Sequence, residues 1–332
     1  MKAAVLHGFV PEGASKDEMD MLVQAEAVSK ALRELGHDPI RAIFSIDMKS
    51  AMENLRSLAP DFVFNLVESV EGQGRLIYIA PALLDYMKIP YTGSDAAAVF
   101  LTTNKIITKE RLHDRGIPTP AWINPGKKSA RDFKPGPYIL KSVWEHASVG
   151  LDEDSVIEAK SEKALIAELA RRCKAYNDDF FAERYIDGRE FNLSIVASGT
   201  APDVLPPVEI IFDNYPAGKN RVVGYRAKWE EGSFEYNHTP RRFDFPKEDR
   251  RLSGKLIRLA KRCWNLFGLR GYARVDFRVD NEGKPFVLEI NTNPCLSPDA
   301  GFAAASARAG LAFSEVIEKI IGHMAAFYNM KL

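Results

Sequence analysis

Residues 272–294 read YARVDFRVDNEGKPFVLEINTNP and form the most informative stretch of the chain. In the first half, Arg274, Asp276 and Arg278 alternate with apolar side chains, which is the period-2 pattern of a half-buried strand. Turn-forming residues follow at 280–283, and residues 286–291 again have the composition of a strand. The stretch therefore predicts a β-hairpin with one polar face.

Three side chains with hard oxygen atoms lie on this hairpin, namely Asp276, Glu289 and Asn291. If the loop between the strands holds an even number of residues, all three share one face, whereas an odd loop separates them. Two carboxylates and an amide that converge repel each other unless a cation lies between them, and hard oxygen ligands suit Mg²⁺ better than zinc. The sequence predicts a magnesium site here, with a solvated strand face as the alternative.

Composition narrows the classes of protein to consider. A chain of 332 residues predicts two or three domains, and 45 basic against 45 acidic side chains give no indication of binding to nucleic acid or an anionic membrane. No apolar run approaches the roughly 20 residues that span a bilayer. Three widely separated cysteines indicate neither a disulfide framework nor a zinc site, so a reducing cytoplasm is the expected location.

The first 95 residues predict an open parallel sheet, because strand patterns at 2–7, 40–44 and 61–67 alternate with helical patterns. No glycine-rich fingerprint follows the first strand, which argues against nicotinamide binding. Ser94 is predicted to cap a helix that runs toward Arg115. Further strands are expected at 138–143, 180–186 and 190–197 and helices at 161–173 and 246–267, while the long irregular stretch at 205–245 predicts an active-site loop.

Several motifs together resemble the ATP-grasp superfamily and, within it, the D-alanine–D-alanine ligase group. They are ARVDF and LEINTNP in the hairpin, IPYTGS at 89–94 leading to Asn104-Lys105, the strand 138–141, and ERYI at 183–186 followed by Gly188, Glu190 and Phe191. The resemblance covers nearly the whole chain. It implies an α/β ATP-grasp fold with a Rossmann-like N-terminal domain at 1–95, a central α+β lobe at 96–187 and a C-terminal α+β lobe at 188–332.

The resemblance also implies an ATP site between the two lobes. Lys141 and Lys105 correspond to the lysines that contact the phosphates, and Glu190 to the residue that accepts a hydrogen bond from the ribose. The strand that links the lobes and meets the adenine comprises Glu183, Arg184, Tyr185 and Ile186. Asp276, Glu289 and Asn291 match the magnesium ligands, with Mn²⁺ as an alternative metal.

Four residues are the expected catalytic groups. Arg274 corresponds to the arginine that stabilises a developing oxyanion, and Lys228 to the lysine near the γ-phosphate. Ser148 lies in the loop after Lys141, where the family usually has Gly-Ser-Ser. Glu18 could bind the amine of the donor, although a glutamate is also favoured at a helix start by the helix dipole.

The implied chemistry has two steps. A substrate carboxylate attacks the γ-phosphate of ATP to form an acyl phosphate, and an amine then displaces phosphate. Because an acyl phosphate hydrolyses in bulk water, a closing loop is expected, and residues 218–238 are the candidate. The partners would be small carboxylate and amine substrates, in particular amino acids, and the family together with the apolar stretch 80–87 is compatible with a homodimer.

The chain departs from the ligase pattern around the amino-acid site. Cys295 replaces a glycine, Ala300 stands near an expected serine, and Trp229 replaces a tyrosine. The residues at the expected ATP and metal positions match the family pattern, whereas those at the acceptor positions differ from it. This difference indicates the same chemistry on another carboxylate and amine. D-alanine–D-alanine ligase itself and a non-catalytic ATP-binding protein remain alternatives.

Overall fold

The N-terminal region forms a three-stranded parallel sheet. The computed structural model describes residues 1–125, 133–145, 150–199 and 201–332. The first sheet has the strand order β2-β1-β3 and consists of β1 (Lys2–Gly8), β2 (Asp38–Phe44) and β3 (Phe62–Asn65). The helices between and after these strands are α1 (Lys16–Glu34), α2 (Met48–Leu58) and α3 (Ile79–Met87). The predicted alternation of strand and helix is therefore present.

Both faces of this sheet are buried, which explains the unbroken apolar sequence of β1. On one face, Ala3 and Val5 pack against α1 and against the last helix of the chain, α11 (Phe313–Phe327). On the other face, Ala4 and Leu6 pack with residues of α2 and α3. Because α11 closes the first face, the N-terminal sheet shares a hydrophobic core with the C-terminal region.

Two short helices connect the first sheet to the rest of the chain, where a single helix capped by Ser94 was predicted. Asp95 is the N-cap of α4 (Ala96–Thr103), since its side chain accepts a hydrogen bond from Ala98 N. Asn104 then leaves the helical conformation, and its side chain caps α5 (Lys105–Asp114). The break has a physical cause, because an asparagine side chain that bonds two following amides competes with helix continuation.

The central region is a four-stranded antiparallel sheet with the order β4-β7-β5-β6. Its elements are β4 (Trp122–Ile123), β5 (Gly136–Ser142), β6 (Val156–Ala159), α6 (Glu162–Tyr176) and β7 (Phe180–Arg184). Leu165 and Leu169 of α6 cover one face together with Leu140 and Ala182. Lys141 lies on the other face of the sheet, which α6 does not cover.

The C-terminal region is a larger antiparallel sheet with the order β11-β10-β8-β12-β13, and β9 also pairs with β8. The strands are β8 (Arg189–Ser198), β9 (Ala201–Val204), β10 (Val208–Ile210), β11 (Arg241–Arg242), β12 (Tyr272–Val279) and β13 (Pro285–Asn291). The remaining helices are α7 (Tyr225–Trp229), α8 (Phe234–Asn237), α9 (Arg250–Phe267) and α10 (Gly301–Arg308). Alternate residues of β8 and β12 pack against α9, so the polar alternates point the other way. Among the described helices, none has the length and apolar character needed to cross a bilayer.

The β12–β13 hairpin keeps its polar residues together by means of a β-bulge. Val279 pairs with Pro285, so the loop between the strands holds five residues, an odd number. Regular pairing would then set Leu288 opposite Asp276 and turn Glu289 to the other face. The register shifts between Asp276 and Phe277, Leu288 becomes the extra residue, and Glu289 lies opposite Asp276.

Residues 211–240, here called the covering segment, extend from the C-terminal sheet to the rest of the molecule. Tyr225 N donates to Leu151 O of the central region at 3.0 Å, and the Tyr225 hydroxyl donates to Asp17 Oδ1 of α1 at 2.9 Å. Arg221 N donates to the Tyr185 hydroxyl at 2.9 Å. The segment that was predicted as an active-site loop therefore contains α7 and α8 and bridges all three regions.

Candidate active site

A cavity of about 500 Å³ lies between the central and C-terminal sheets. The central sheet contributes Ile139, Lys141 and Glu183, which share the face that α6 leaves open. The C-terminal sheet contributes seven polar residues from paired positions of β8, β12 and β13, namely Glu190, Asn192, Arg274, Asp276, Arg278, Glu289 and Asn291. Two facing sheets with charged inner surfaces therefore enclose one site.

Glu183 is almost fully buried and lies between two lysines. Its Oε2 is 2.5 Å from Lys109 Nζ, its Oε1 accepts a hydrogen bond from Lys141 Nζ, and Lys109 also donates to Thr119 Oγ1 at 2.8 Å. Burial alone would raise the pKa of Glu183, but the two ammonium groups outweigh burial and hold that pKa below its usual value. The carboxylate thus fixes the position of Lys141 at the cavity wall.

Lys105 connects the central region to the metal-binding candidates. Its ammonium donates to Glu145 O and lies 3.8 Å from Glu289 Oε2. Burial lowers the pKa of Lys105, while the nearby Glu289 opposes that shift. Lys105 and Lys141 are both cavity-lining cations at the same end of the site.

The residues that join the two sheets close the cavity at this end. Arg184, Tyr185 and Ile186 all line it, and Arg184 N and Tyr185 N donate to Ala121 O at 2.7 Å and Pro137 O at 3.1 Å. The Arg184 side chain turns away and donates to carbonyl oxygens at 134 and 135. These bonds hold the connecting backbone against the cavity.

Glu190 begins the C-terminal side of the cavity and is paired with a buried arginine. Arg278 Nη2 lies 2.8 Å from Glu190 Oε2, and Arg278 also donates to the carbonyl oxygens of Gly188 and Arg221. The guanidinium lies 5.1 Å from the centre of the Phe212 ring, a cation–π distance. Arg278 therefore fixes the position of the Glu190 carboxylate at the cavity.

The hairpin residues chosen as metal ligands meet on one face, as their register requires. Asp276 is directly opposite Glu289, and Asn291 is opposite Arg274. Arg274 binds both oxygens of Asp276 at 2.8 Å, so the carboxylate is already paired with a cation. Burial raises the pKa of Asp276, and Arg274 opposes the shift. Hard oxygens from two carboxylates and an amide fit Mg²⁺, although no cluster of three or more His, Cys, Asp and Glu side chains converges within the described ranges.

Lys228 extends from α7 of the covering segment into the cavity. Burial lowers its pKa, the charge of Arg274 lowers it further, and Glu289 and Asp276 oppose these effects. The lysine is thus within electrostatic reach of the hairpin carboxylates. The covering segment therefore sets the position of Lys228 in the cavity.

The remaining two residues predicted to be catalytic are Glu18 and Ser148. Glu18 accepts hydrogen bonds from Ser15 N and Ser15 Oγ at 2.9 and 2.8 Å, which forms the capping box of α1, and it does not line the cavity. Ser148 lies outside the described residues. Two other carboxylates of the N-terminal region, Asp20 and Glu68, do line the cavity. Burial raises the pKa of Glu68 to about 7, despite a hydrogen bond from Gln24 that lowers it.

The two facing sheets and the ionic residues between them define an ATP-grasp enzyme, and solved structures agree with this fold. The crystal structure of D-alanine–D-alanine ligase from Bacillus anthracis complexed with ATP has a TM-score of 0.75 at 20% identity and covers 99% of each chain. The ligase structure from Coxiella burnetii has a TM-score of 0.71 at 18% identity and covers 99% of this chain and 96% of that one.

Sequence comparisons give the family. A family model described as D-ala D-ala ligase C-terminus matches residues 128–322. The D-alanine–D-alanine ligase of Aquifex aeolicus is 31% identical over 97% of this chain and 100% of its own length. An uncharacterized protein of Sinorhizobium fredii is 30% identical over 92% and 89%. The chain belongs to the D-alanine–D-alanine ligase family and is an ATP-dependent ligase that forms C–N bonds.

Several residues of the cavity had no role in the sequence prediction. Lys109 lies one helical turn after Lys105, a spacing that could have placed both on one side of α5. Arg278 shares the polar face of Asp276, and Glu68 follows the carboxyl end of a parallel strand, where ligand sites occur. Asp20 and Arg241 had no local signal, because distant elements bring them to the cavity.

Proposed function

We propose that the protein joins a carboxylate to an amine through an acyl phosphate, with an amino-acid site that differs from that of its D-alanine-specific relatives. One observation carries the proposal: Lys105 and Lys141 face the Asp276, Glu289 and Arg274 constellation across a single cavity. A carboxylate and a triphosphate repel each other, so their approach needs cations from several directions. This cavity offers cations from both sheets and from the covering segment.

Each residue has a proposed part in the reaction. Lys105 and Lys141 bind the phosphates, and the 183–186 backbone with Glu190 holds the nucleoside. Asp276, Glu289 and Asn291 would hold Mg²⁺, which supplies charge neutralisation at the phosphates. Arg274, freed from Asp276, would bind the oxygen that becomes negative when the amine attacks the acyl carbon.

The covering segment supports the same proposal. An acyl phosphate must be kept from water until the amine has reacted, and a segment that bonds to all three regions can exclude water. Lys228 enters the cavity from this segment, so closure and placement of a cation near the γ-phosphate are one event. Closure is proposed to depend on the contacts of Tyr225 with Leu151 and Asp17.

Release of phosphate from MgATP in the presence of a panel of amino acids tests the proposal. We expect release that depends on an amino acid, with ADP and an amide as the other products. Asp276→Asn and Glu289→Gln should lower the rate at least a hundredfold, as expected when charge stabilisation at the phosphates is lost. Glu282→Gln, at an exposed position of the same hairpin, is the matched control and should behave like the wild type. Wild-type turnover in Asp276→Asn would remove the metal assignment.

A second candidate is D-alanine–D-alanine ligase itself, which the names of the relatives favour. We expect D-alanine as sole amino acid to release phosphate slowly, since Cys295 fills space that a glycine leaves open and Ala300 offers no hydroxyl. Ordinary turnover with saturation in the millimolar range and D-alanyl-D-alanine as product would establish the second candidate instead.

A further inference from the structure

One face of α9 carries an excess of positive charge that the composition of the whole chain conceals. The helix has 18 residues, of which six are basic and none is acidic, although basic and acidic residues are equal in number over the chain. The six are Arg250, Arg251, Lys255, Arg258, Lys261 and Arg262. A local excess of one sign is the electrostatic feature of a surface that binds a polyanion. This feature is independent of the proposed ligase function.

The six cations, here called the basic stripe, lie on one side of the helix because of their spacing. At 3.6 residues per turn they fall within an arc of about 140°, and the stripe is about 18 Å long from Arg250 to Arg262. The opposite side of α9 is apolar and packs on β8 and β12, with Leu256 and Cys263 fully buried. Lys255 is half-buried and the other five cations are exposed, so the stripe faces solvent.

The charges of the basic stripe have no ionic partner in the part of the chain that the structure describes. None of the six belongs to an ion pair there, and Arg262 donates only to the Arg115 carbonyl oxygen, at 2.8 Å. Two pairs within the stripe are four residues apart, namely Arg251 with Lys255 and Arg258 with Arg262. Like charges at that spacing destabilise a helix, and an anion bound to the stripe would relieve the repulsion.

The packing of α9 determines what shape of anion fits the basic stripe. A helix that reads duplex nucleic acid enters the major groove, a channel about 12 Å wide, so most of its circumference has to be free. The apolar side of α9 is buried in the protein, and only the arc of cations is presented. The structure describes α9 completely, and the helix exposes no large apolar or aromatic side chain on which unpaired bases could stack. A flat array of anions contacts the whole stripe at once, and phospholipid headgroups form such an array.

The basic stripe and the cavity lie on opposite sides of the C-terminal sheet. Leu193 and Val275 pack in the same core as α9, whereas their neighbours along β8 and β12, Asn192 and Arg274, line the cavity. A surface bound at α9 therefore does not contact the cavity. Binding there attaches the protein without occupying the active site.

We propose that the basic stripe of α9 binds the surface of a membrane that contains anionic phospholipids. The headgroup phosphates supply the negative charge that the stripe lacks, and the apolar side of the helix stays in the protein core, so nothing inserts into the bilayer. Because the contact is electrostatic, it is reversible and weakens as salt screens the charges.

Co-sedimentation with vesicles tests the proposal. The protein should bind vesicles of phosphatidylcholine mixed equally with phosphatidylglycerol at physiological salt, and it should not bind vesicles of phosphatidylcholine alone. One variant combines Arg251→Gln, Arg258→Gln and Lys261→Gln, because glutamine keeps a high helix propensity. Each cation near an anionic surface contributes about fivefold to the partition coefficient, so this triple variant should bind roughly a hundredfold more weakly. Arg258→Gln alone should weaken binding about fivefold.

The matched control removes the same charge from exposed positions of three other helices. It combines Lys30→Gln, Lys49→Gln and Lys163→Gln on α1, α2 and α6, and it should bind like the wild type. Equal loss of binding in both triple variants would mean that net charge alone matters and would overturn the assignment to α9. A cooperative thermal transition in each variant shows that the variant is folded.

Two further outcomes would also overturn the proposal. The first is a wild-type protein that stays in the supernatant with the anionic vesicles at physiological salt. The second is release of the protein from these vesicles by a mixed-sequence oligonucleotide at the same concentration of phosphate groups, which would identify the basic stripe as a nucleic-acid surface. Vesicle binding is measured without ATP or amino acids, so its failure leaves the ligase proposal untouched.

Discussion

Removal of the buried ammonium of Lys109 should destabilise the protein by about 3 kcal/mol. Lys109 is fully buried, lies 2.5 Å from the nearly buried Glu183, and donates to Thr119 at 2.8 Å. Removing one partner of a buried ion pair costs roughly 3–5 kcal/mol, because the other charge stays buried. Since Glu183 keeps its bond to Lys141, we expect Lys109→Met to fall at the lower end of that range.

Urea unfolding followed by tryptophan fluorescence measures this effect, because Trp122 lies 5.9 Å from the Lys109 ammonium. The control is Lys163→Met, the same substitution at an exposed position of α6, which should change the free energy of unfolding by less than about 0.5 kcal/mol. In the Lys109→Met background, Glu183→Gln should cost at least about 1 kcal/mol less than in the wild type, since residues in one ionic network are coupled.

A loss below about 1 kcal/mol in Lys109→Met, or additive effects of the two substitutions, would refute the reasoning. Either result would mean that Glu183 gains nothing measurable from its second lysine. It would also remove the argument that the Lys109–Glu183 pair positions Lys141 for the phosphates.

Three further predictions address other parts of the site. Glu190→Ala should raise the Michaelis constant of ATP much more than that of the amino substrate, and the reverse order in steady-state kinetics would contradict a role at the ribose. Tyr225→Phe removes a hydrogen bond between the covering segment and α1, so the ratio of phosphate to amide product should rise. The control is Lys16→Ala, which breaks only an exposed ion pair with Glu231 and should leave the ratio unchanged. The pKa of Glu68 is raised to about 7, so the folded state holds a proton that the unfolded state has lost, and the stability due to this proton decreases as the pH rises from about 4.5 to 7. This decrease in the free energy of unfolding amounts to up to about 3 kcal/mol, and Glu68→Gln should abolish it. A profile of unfolding free energy against pH that is identical to the wild type would contradict the shifted pKa.

The sequence predicted the hairpin well because alternation of polar and apolar residues directly reflects the two faces of a strand. It could not predict how the hairpin keeps its ligands together. Loop parity alone separates Asp276 from Glu289 in a five-residue loop, and only the extra residue at Leu288 reverses that result. A β-bulge has no clear mark in this sequence, since Leu288 fits a regular strand equally well.

The cavity residues were predictable to the extent that a motif or strand pattern contains them. Lys105, Lys141 and Glu190 belong to such patterns, and each lines the cavity. Asp20 and Arg241 belong to none, because tertiary packing brings α1 and β11 to the same cavity. Glu18 shows the opposite case, in which a local helix-capping preference explains the residue without any site.

The core shared by β1 and α11 has a consequence for how the chain folds as it is made. The apolar residues of β1 leave the ribosome well before Ile317, Ile320 and Met324, which cover the same core. At about 5–20 residues per second, roughly 15–60 s separate the synthesis of the two elements. During that interval one face of the N-terminal sheet has no cover from α11, so this protein should depend on chaperones during translation more than a protein whose domains close in order of synthesis.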